Sequence, residues 1–276
     1  MKIAQNNQSM ITLSVYNTPG PVVENAIEMF RHELSEKHQV DWATDSDGLN
    51  QIVIQTPSLK ADDDQSFSLS TEIKDEQSRL TVTGSGERGI LYGLCEVLDQ
   101  IESRDGELHL PELNLISSPS MKKRGTERHW LPSFSTEEGV QANIRLIRAL
   151  ARKRINTLLW IDEWISPGWY RFLEFRHYSP LHRPERQEAV SKAKEYLRRI
   201  VAEAKAWGME FYLGTNECTV PESLTAISPH LFHTNEQGFP VLRFELPETW
   251  QYYRAKIREM MEDIPELSGI ELWLGE

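Results

Sequence analysis

From Lys122 to Glu276 the chain alternates short apolar runs with long amphipathic stretches, and no other feature restricts the fold as strongly. The short runs are residues 124–129, 157–160, 210–213 and 270–274, each of strand length and rich in residues that fit a pleated surface. The stretches between them have helical spacing. The first opens with Ser135, Thr136, Glu137 and Glu138, which read as a capping box, and carries Val140, Ile144, Ile147 and Ala151 on one face. The second, over residues 185–207, turns Ala189, Ala193, Tyr196, Ile200 and Ala204 inward and ends at Gly208, where a left-handed cap is expected. The third, over residues 247–264, presents Trp250, Tyr253, Ile257 and Met260. Strands joined by helical crossovers run parallel, so this half of the chain predicts a parallel sheet covered by helices.

Each helix is followed at once by a strand, whereas the stretches after the second and third strands reach about twenty residues or more. The elaboration lies on the carboxyl edge of the sheet, where (β/α) barrels build their active sites. Before Lys122 the rhythm is different. Residues 10–16 alternate like a strand, Pro19, Gly20 and Pro21 make a turn, and Val23, Ile27, Phe30 and Leu34 line a helix. Three further strand-like runs, residues 52–55, 67–73 and 80–83, precede a helix that Ser85 is placed to cap; it carries Ile90, Leu91, Leu94, Val97, Leu98 and Ile101, and Asp105 and Gly106 break it. The prediction is an α/β chain with a small α+β domain of one sheet and two helices over residues 1–110. A linker over 111–120, with two prolines, joins it to about four βα units of a TIM-type barrel over 121–276.

A formal charge of −12 repels phosphate backbones and anionic lipid, which argues against nucleic acid and membrane as partners. The first residues hold one lysine and no apolar core of a leader, and no apolar run reaches the ~20 residues of a membrane span, so a cytoplasmic location is expected. Cys95 and Cys218 form no metal-binding pattern and read as free thiols. His177 and His182 lack metal-ligand spacing with acids, so no metal and no cofactor is expected. A phosphate-using α/β enzyme is disfavoured because no P-loop or dinucleotide fingerprint is present.

Residues 85–101 (SGERGILYGLCEVLDQI), following the strand-like run at 80–83, resemble the end of the small domain that precedes the barrel in bacterial β-N-acetylhexosaminidases (family 20) and α-glucuronidases (family 67). The resemblance continues through 121–125 (MKKRG), 153–164 (KRINTLLWIDEW), 206–217 (AWGMEFYLGTNE) and 267–276 (LSGIELWLGE), and so covers nearly the whole chain. It implies a glycoside hydrolase in which an acid at the end of strand four protonates the leaving oxygen, a place held here by Glu276. It also implies that Arg124 binds sugar hydroxyls. The hexosaminidases end strand four in an Asp-Glu pair, whereas Gly275 precedes Glu276 here, which is more like the α-glucuronidases.

Independently of the resemblance, glycoside hydrolysis requires carboxyl groups flanking the scissile bond. Asp162, Glu163 and Glu217 follow strands two and three, each either a substrate contact or a solvated loop acid. Trp164 and Trp169 offer flat faces to a sugar ring or pack within their loop, and Asn216 bonds a hydroxyl or caps a turn. The expected partner is an oligosaccharide or glycoside, with an open barrel edge that invites self-association. The alternative function is a non-catalytic carbohydrate-binding or assembly module.

Overall fold

The computed structural model describes residues 1–6, 8–41, 50–55, 63–74, 77–128, 136–161, 172–182, 184–216, 222–236, 238 and 240–273. Two compact units are present. The first comprises Met1–Arg124 with Leu150–Arg154 and Ala206–Gly208, and the second Gly125–Ala149, Ile155–Lys205 and Met209–Glu276.

The first unit contains β1 (Lys2–Gln5), β2 (Gln8–Ser9), β3 (Ile11–Tyr16), α1 (Pro21–His38), β4 (Asn50–Gln55), β5 (Phe67–Lys74), β6 (Gln77–Gly84) and α2 (Glu87–Asp99). It continues with β7 (Glu102–Arg104), β8 (Glu107–His109) and β9 (Asn114–Ser117). Its main sheet has the order β3-β4-β6-β5-β9, parallel from β3 to β6 and antiparallel beyond. Ile52, Ile54, Leu69, Leu80 and Val82 are buried in it, and α1 and α2 pack on each other with Phe30, Leu34, Ile90, Leu91 and Leu94 enclosed. Close contact between α2 and the chain before β5 needs a residue without Cβ: a Cβ on Gly89 would lie 2.2 Å from the Ser66 carbonyl oxygen.

Three details of this unit differ from the sequence reading. Ser85 does not cap α2; Gly86 is the N-cap and makes no side-chain bond, while the Ser85 hydroxyl donates to the Ser66 carbonyl at 3.0 Å. The pair Asp105 and Gly106, read as a helix breaker, has φ of 50° and 81° and turns β7 into β8, as a two-residue hairpin requires. Asn114–Ser117, inside the stretch read as a linker, is the edge strand β9, antiparallel to β5. A second small sheet, β2-β1-β8-β7, pairs Lys2 with His109, a pairing too distant in sequence to leave a local signal.

The second unit contains β10 (Gly125–Arg128), α3 (Glu137–Arg152), β11 (Thr157–Ile161), α4 (Gln187–Ala206), β12 (Glu210–Asn216), α5 (Glu222–Ile227), β13 (Phe232–Thr234), β14 (Pro240–Leu242), α6 (Pro247–Asp263) and β15 (Gly269–Trp273). Its main sheet is parallel with the order β10-β11-β12-β15, and β13 and β14 form a separate antiparallel pair. A doubly wound sheet reverses its strand order at a switch point. Here each strand joins the one before it, as in the wall of a barrel. One face of the sheet carries the buried Leu158, Trp160, Phe211 and Leu213; register places Glu127, Leu159, Glu210, Tyr212 and Glu271 on the other.

The helices sit where periodicity predicts, with corrected faces. Thr136 caps α3, since its hydroxyl accepts from the Gly139 amide at 3.1 Å, and Ser135 lies outside the described residues. In α4 the buried face is Val190, Lys194, Tyr196, Leu197, Ile200, Val201 and Ala204; Ala189 is exposed. In α6 Tyr253 and Met260 are buried, Trp250 is 48% exposed, and the buried face also holds Thr249, Lys256 and Glu259. An inward charge is invisible to an apolar pattern.

Candidate functional site

Parallel pairing brings the carboxyl ends of the second unit's strands to one edge. Ile161 is in register with Gly214, and Asn216, the last residue of β12, with Trp273, the last of β15. Neighbouring strands lie ~4.8 Å apart, so the segments that follow β11, β12 and β15 leave from adjacent points. Asp162 and Glu163 follow β11 directly, Glu217 follows β12, and Glu276 stands three positions past β15. Asp162, Glu163, Trp164, Trp169, Glu217 and Glu276 lie outside the described residues; Asn216 is described in its backbone alone.

The chain returning from the β11 edge is anchored by a buried ionic cluster. Phe172 meets Trp160 edge-on at 6.1 Å, and Phe175 stacks on Tyr252 at 6.1 Å. Phe175 has φ of 56°, which a phenylalanine rarely adopts, and the amides on either side of it, Glu174 and Arg176, donate to the two carboxylate oxygens of Glu259 at 2.6 and 2.8 Å. The Glu259 side chain is fully buried, and Lys194 Nζ reaches Glu174 at 3.1 Å, Glu259 at 3.4 Å and Asp263 at 2.5 Å. Arg176 completes the cluster with a bidentate pair to Asp263 at 2.8 and 3.0 Å. Burial pushes the Asp263 carboxyl up, but hydrogen bonds from Arg176 and Lys194 and the charges of both outweigh it and hold the group below its ordinary value. The cluster thus fixes the far end of the segment that carries Asp162, Glu163, Trp164 and Trp169. Sequence reading missed it, because an inward lysine or glutamate leaves no mark in an apolar pattern.

Arg124 ends the first unit, one residue before β10. Its Nε donates to the Arg154 carbonyl at 2.9 Å and its Nη1 to the Met121 carbonyl at 2.7 Å, and its guanidinium lies 5.1 Å from the centre of the Tyr92 ring. These contacts tie it to backbone. His177 bonds Glu262 at 2.7 Å and His182 bonds the Glu174 carbonyl at 2.9 Å; among the described residues no group of acids, histidines or cysteines could hold a metal ion. No helix among them is long and apolar enough to cross a membrane.

On the partly covered face of the sheet, the Tyr212 hydroxyl donates to Glu210 at 2.7 Å. Its ring occupies the space above Gly269, where a Cβ would come within 2.9 Å of it. Glu271 is next along β15 on this face, and its Oε2 is buried with no hydrogen-bond partner among the described residues. Period-two alternation over residues 210–214 and 269–273 places these carboxylates on one face, in strand interiors rather than at the strand ends where a barrel's catalytic acids are expected.

No protein-family model and no curated protein matches the sequence. Solved structures do match. A chitobiase of family 20 from Flavobacterium johnsoniae superposes with a TM-score of 0.65 at 16% identity, over 99% of this chain and 42% of that one. A family 138 enzyme targeting pectin rhamnogalacturonan II gives 0.68 at 19% identity, over 96% of this chain and 30% of that one. A β-N-acetylhexosaminidase from Bacteroides fragilis gives 0.58 at 14% identity, over 92% and 50%. The chain therefore spans at most half the length of these enzymes, and along nearly all of its own length it has a partial fold like that of the family 20 glycoside hydrolases.

Proposed function

We propose that the chain is a portion of a glycoside hydrolase acting on a hexosaminide or glucuronide type linkage by carboxylic general acid catalysis. The observation that supports this best is that the match to glycosidases runs through both units, small domain and parallel sheet alike, in the same order. In this reading Glu276 is the general acid. Asp162, Glu163, Glu217 and Asn216 meet substrate hydroxyls, and Trp164 and Trp169 form the platform for a ring. Arg124 would have to release a bond to the Arg154 or Met121 carbonyl before it could reach a sugar.

General acid catalysis contributes ~10²–10⁴-fold, so Glu276→Gln should lower hydrolysis of 4-nitrophenyl glycosides by about that factor in a longer protein containing this chain and a closed barrel. The 276-residue chain alone should turn over little, because its described parallel sheet has four strands and β15 lies at its edge, where a closed barrel needs eight. Robust hydrolysis that survives Glu276→Gln would refute the acid assignment.

A further inference from the structure

On the flank of the second unit a groove of about 910 Å³ opens between α6 and two preceding stretches, residues 177–180 and 228–230. Pockets of ~300–1,000 Å³ suit small organic ligands. Tyr178, Pro180, Ala255 and Ile257 give part of the wall an apolar surface, and His230, Gln251 and Arg254 bring polar groups to it.

The charges of the groove are unequally satisfied. Glu262 accepts from Arg258 at 2.7 Å and bonds His177 at 2.7 Å, and these partners hold its carboxyl down at about 2. Arg258 and His177 are therefore already matched. Arg254, one turn before Arg258 on the same face of α6, has no hydrogen bond and no ion pair among the described residues. Like charges four residues apart on a helix repel, and Glu262 relieves only one of the two guanidinium groups. A planar guanidinium beside apolar wall is a carboxylate receptor. Glu248, on the same helix, is the groove's own acid and would repel a second negative charge. In a chain of net charge −12, anions have no general reason to gather here.

We propose that this groove is a second saccharide site, selective for a sugar that carries a carboxylate. Arg254 receives the carboxylate, the ring's C–H face lies against Pro180 and Ile257, and hydroxyls meet Gln251 and His230. The choice of a saccharide rests on the glycosidase reading; the preference for a carboxylate rests on Arg254.

Calorimetric titration of the 276-residue chain with digalacturonate, N,N′-diacetylchitobiose and acetate tests it, using Arg254→Gln and Trp169→Ala variants whose thermal unfolding matches the parent. Digalacturonate should bind, and about tenfold more weakly to Arg254→Gln, since a hydrogen bond to a charged partner is worth about that factor. Diacetylchitobiose should be indifferent to Arg254→Gln. No binding of digalacturonate, or binding unchanged by Arg254→Gln, overturns the groove. If diacetylchitobiose still binds and loses affinity in Trp169→Ala, the glycosidase reading survives that failure. Displacement of digalacturonate by an equal concentration of acetate would show a general anion site and overturn the saccharide class.

Discussion

Helices α2 and α6 make an instructive pair. The 13 residues of α2 bury Gly89, Ile90, Leu91, Tyr92, Gly93, Leu94, Cys95 and Val97, none of them charged. The 17 residues of α6 bury Tyr252, Tyr253 and Met260 together with Lys256 and Glu259. The first helix is held by removal of apolar surface from water, which is indifferent to the identity of the partner. The second is held by bonds to particular groups, the amides of Glu174 and Arg176 and the ammonium of Lys194, which must all be in place. The small domain should therefore tolerate conservative exchange inside its core, whereas the second unit concentrates its risk in one cluster.

The largest effect should come from Glu259→Ala. Two part-buried amides would lose a charged acceptor, each bond worth ~1.5–3 kcal/mol, so the cost should be about 3–5 kcal/mol, while Lys194 keeps Glu174 and Asp263 as partners. Urea denaturation followed by tyrosine fluorescence measures the loss, and a cost below ~1 kcal/mol would place the strength of the second unit elsewhere.

Leu80→Ala in the fully buried centre of β6 should cost ~2–5 kcal/mol through a cavity, while Leu80→Met should cost under ~1.5 kcal/mol. Cys95 reports on the same core, because burial pushes its thiol up to about 11. Alkylation at Cys95, identified by peptide mass, should be slow in the native protein and rise with Leu80→Ala. Equal rates in both proteins would contradict a continuous core beneath α2.

Acid should act on both units more gently. Burial raises the Glu33 carboxyl, but hydrogen bonds from Arg152 and Lys37 outweigh that and leave it below its ordinary value, as Arg176 and Lys194 do for Asp263. A carboxyl depressed in the folded state contributes stability above its unfolded pKa, near ~4, and the contribution is lost as pH falls through the folded value. Thermal midpoints should therefore be flat from pH 7 to about 5 and decline below about 4. Asp263→Asn should flatten the decline in the second unit alone, and an undiminished slope would remove the cluster from the acid response.

The smallest effect should be that of Trp250→Phe. The indole is 48% exposed and donates to the Phe244 carbonyl at 2.9 Å, a bond worth about 1 kcal/mol. A loss above ~2 kcal/mol would mean that this face of α6 is more enclosed than its neighbours.

Much of the architecture was legible without coordinates. The alternation after Lys122 placed four parallel strands and three long helices, and the run at residues 85–101 placed α2, because apolar periodicity is written locally and each element buries the face its own sequence defines. Strand order, the edge strand β9, the hairpin at Asp105 and Gly106 and the pairing of Lys2 with His109 came only from the tertiary structure, since each depends on a partner far along the chain. The same holds for the charges. Nothing in the residues around Lys194 or Glu259 marks them as inward, because a buried charge is stable only where opposite groups from other segments converge on it, and three-dimensional packing alone brings Glu174, Arg176, Lys194, Glu259 and Asp263 together.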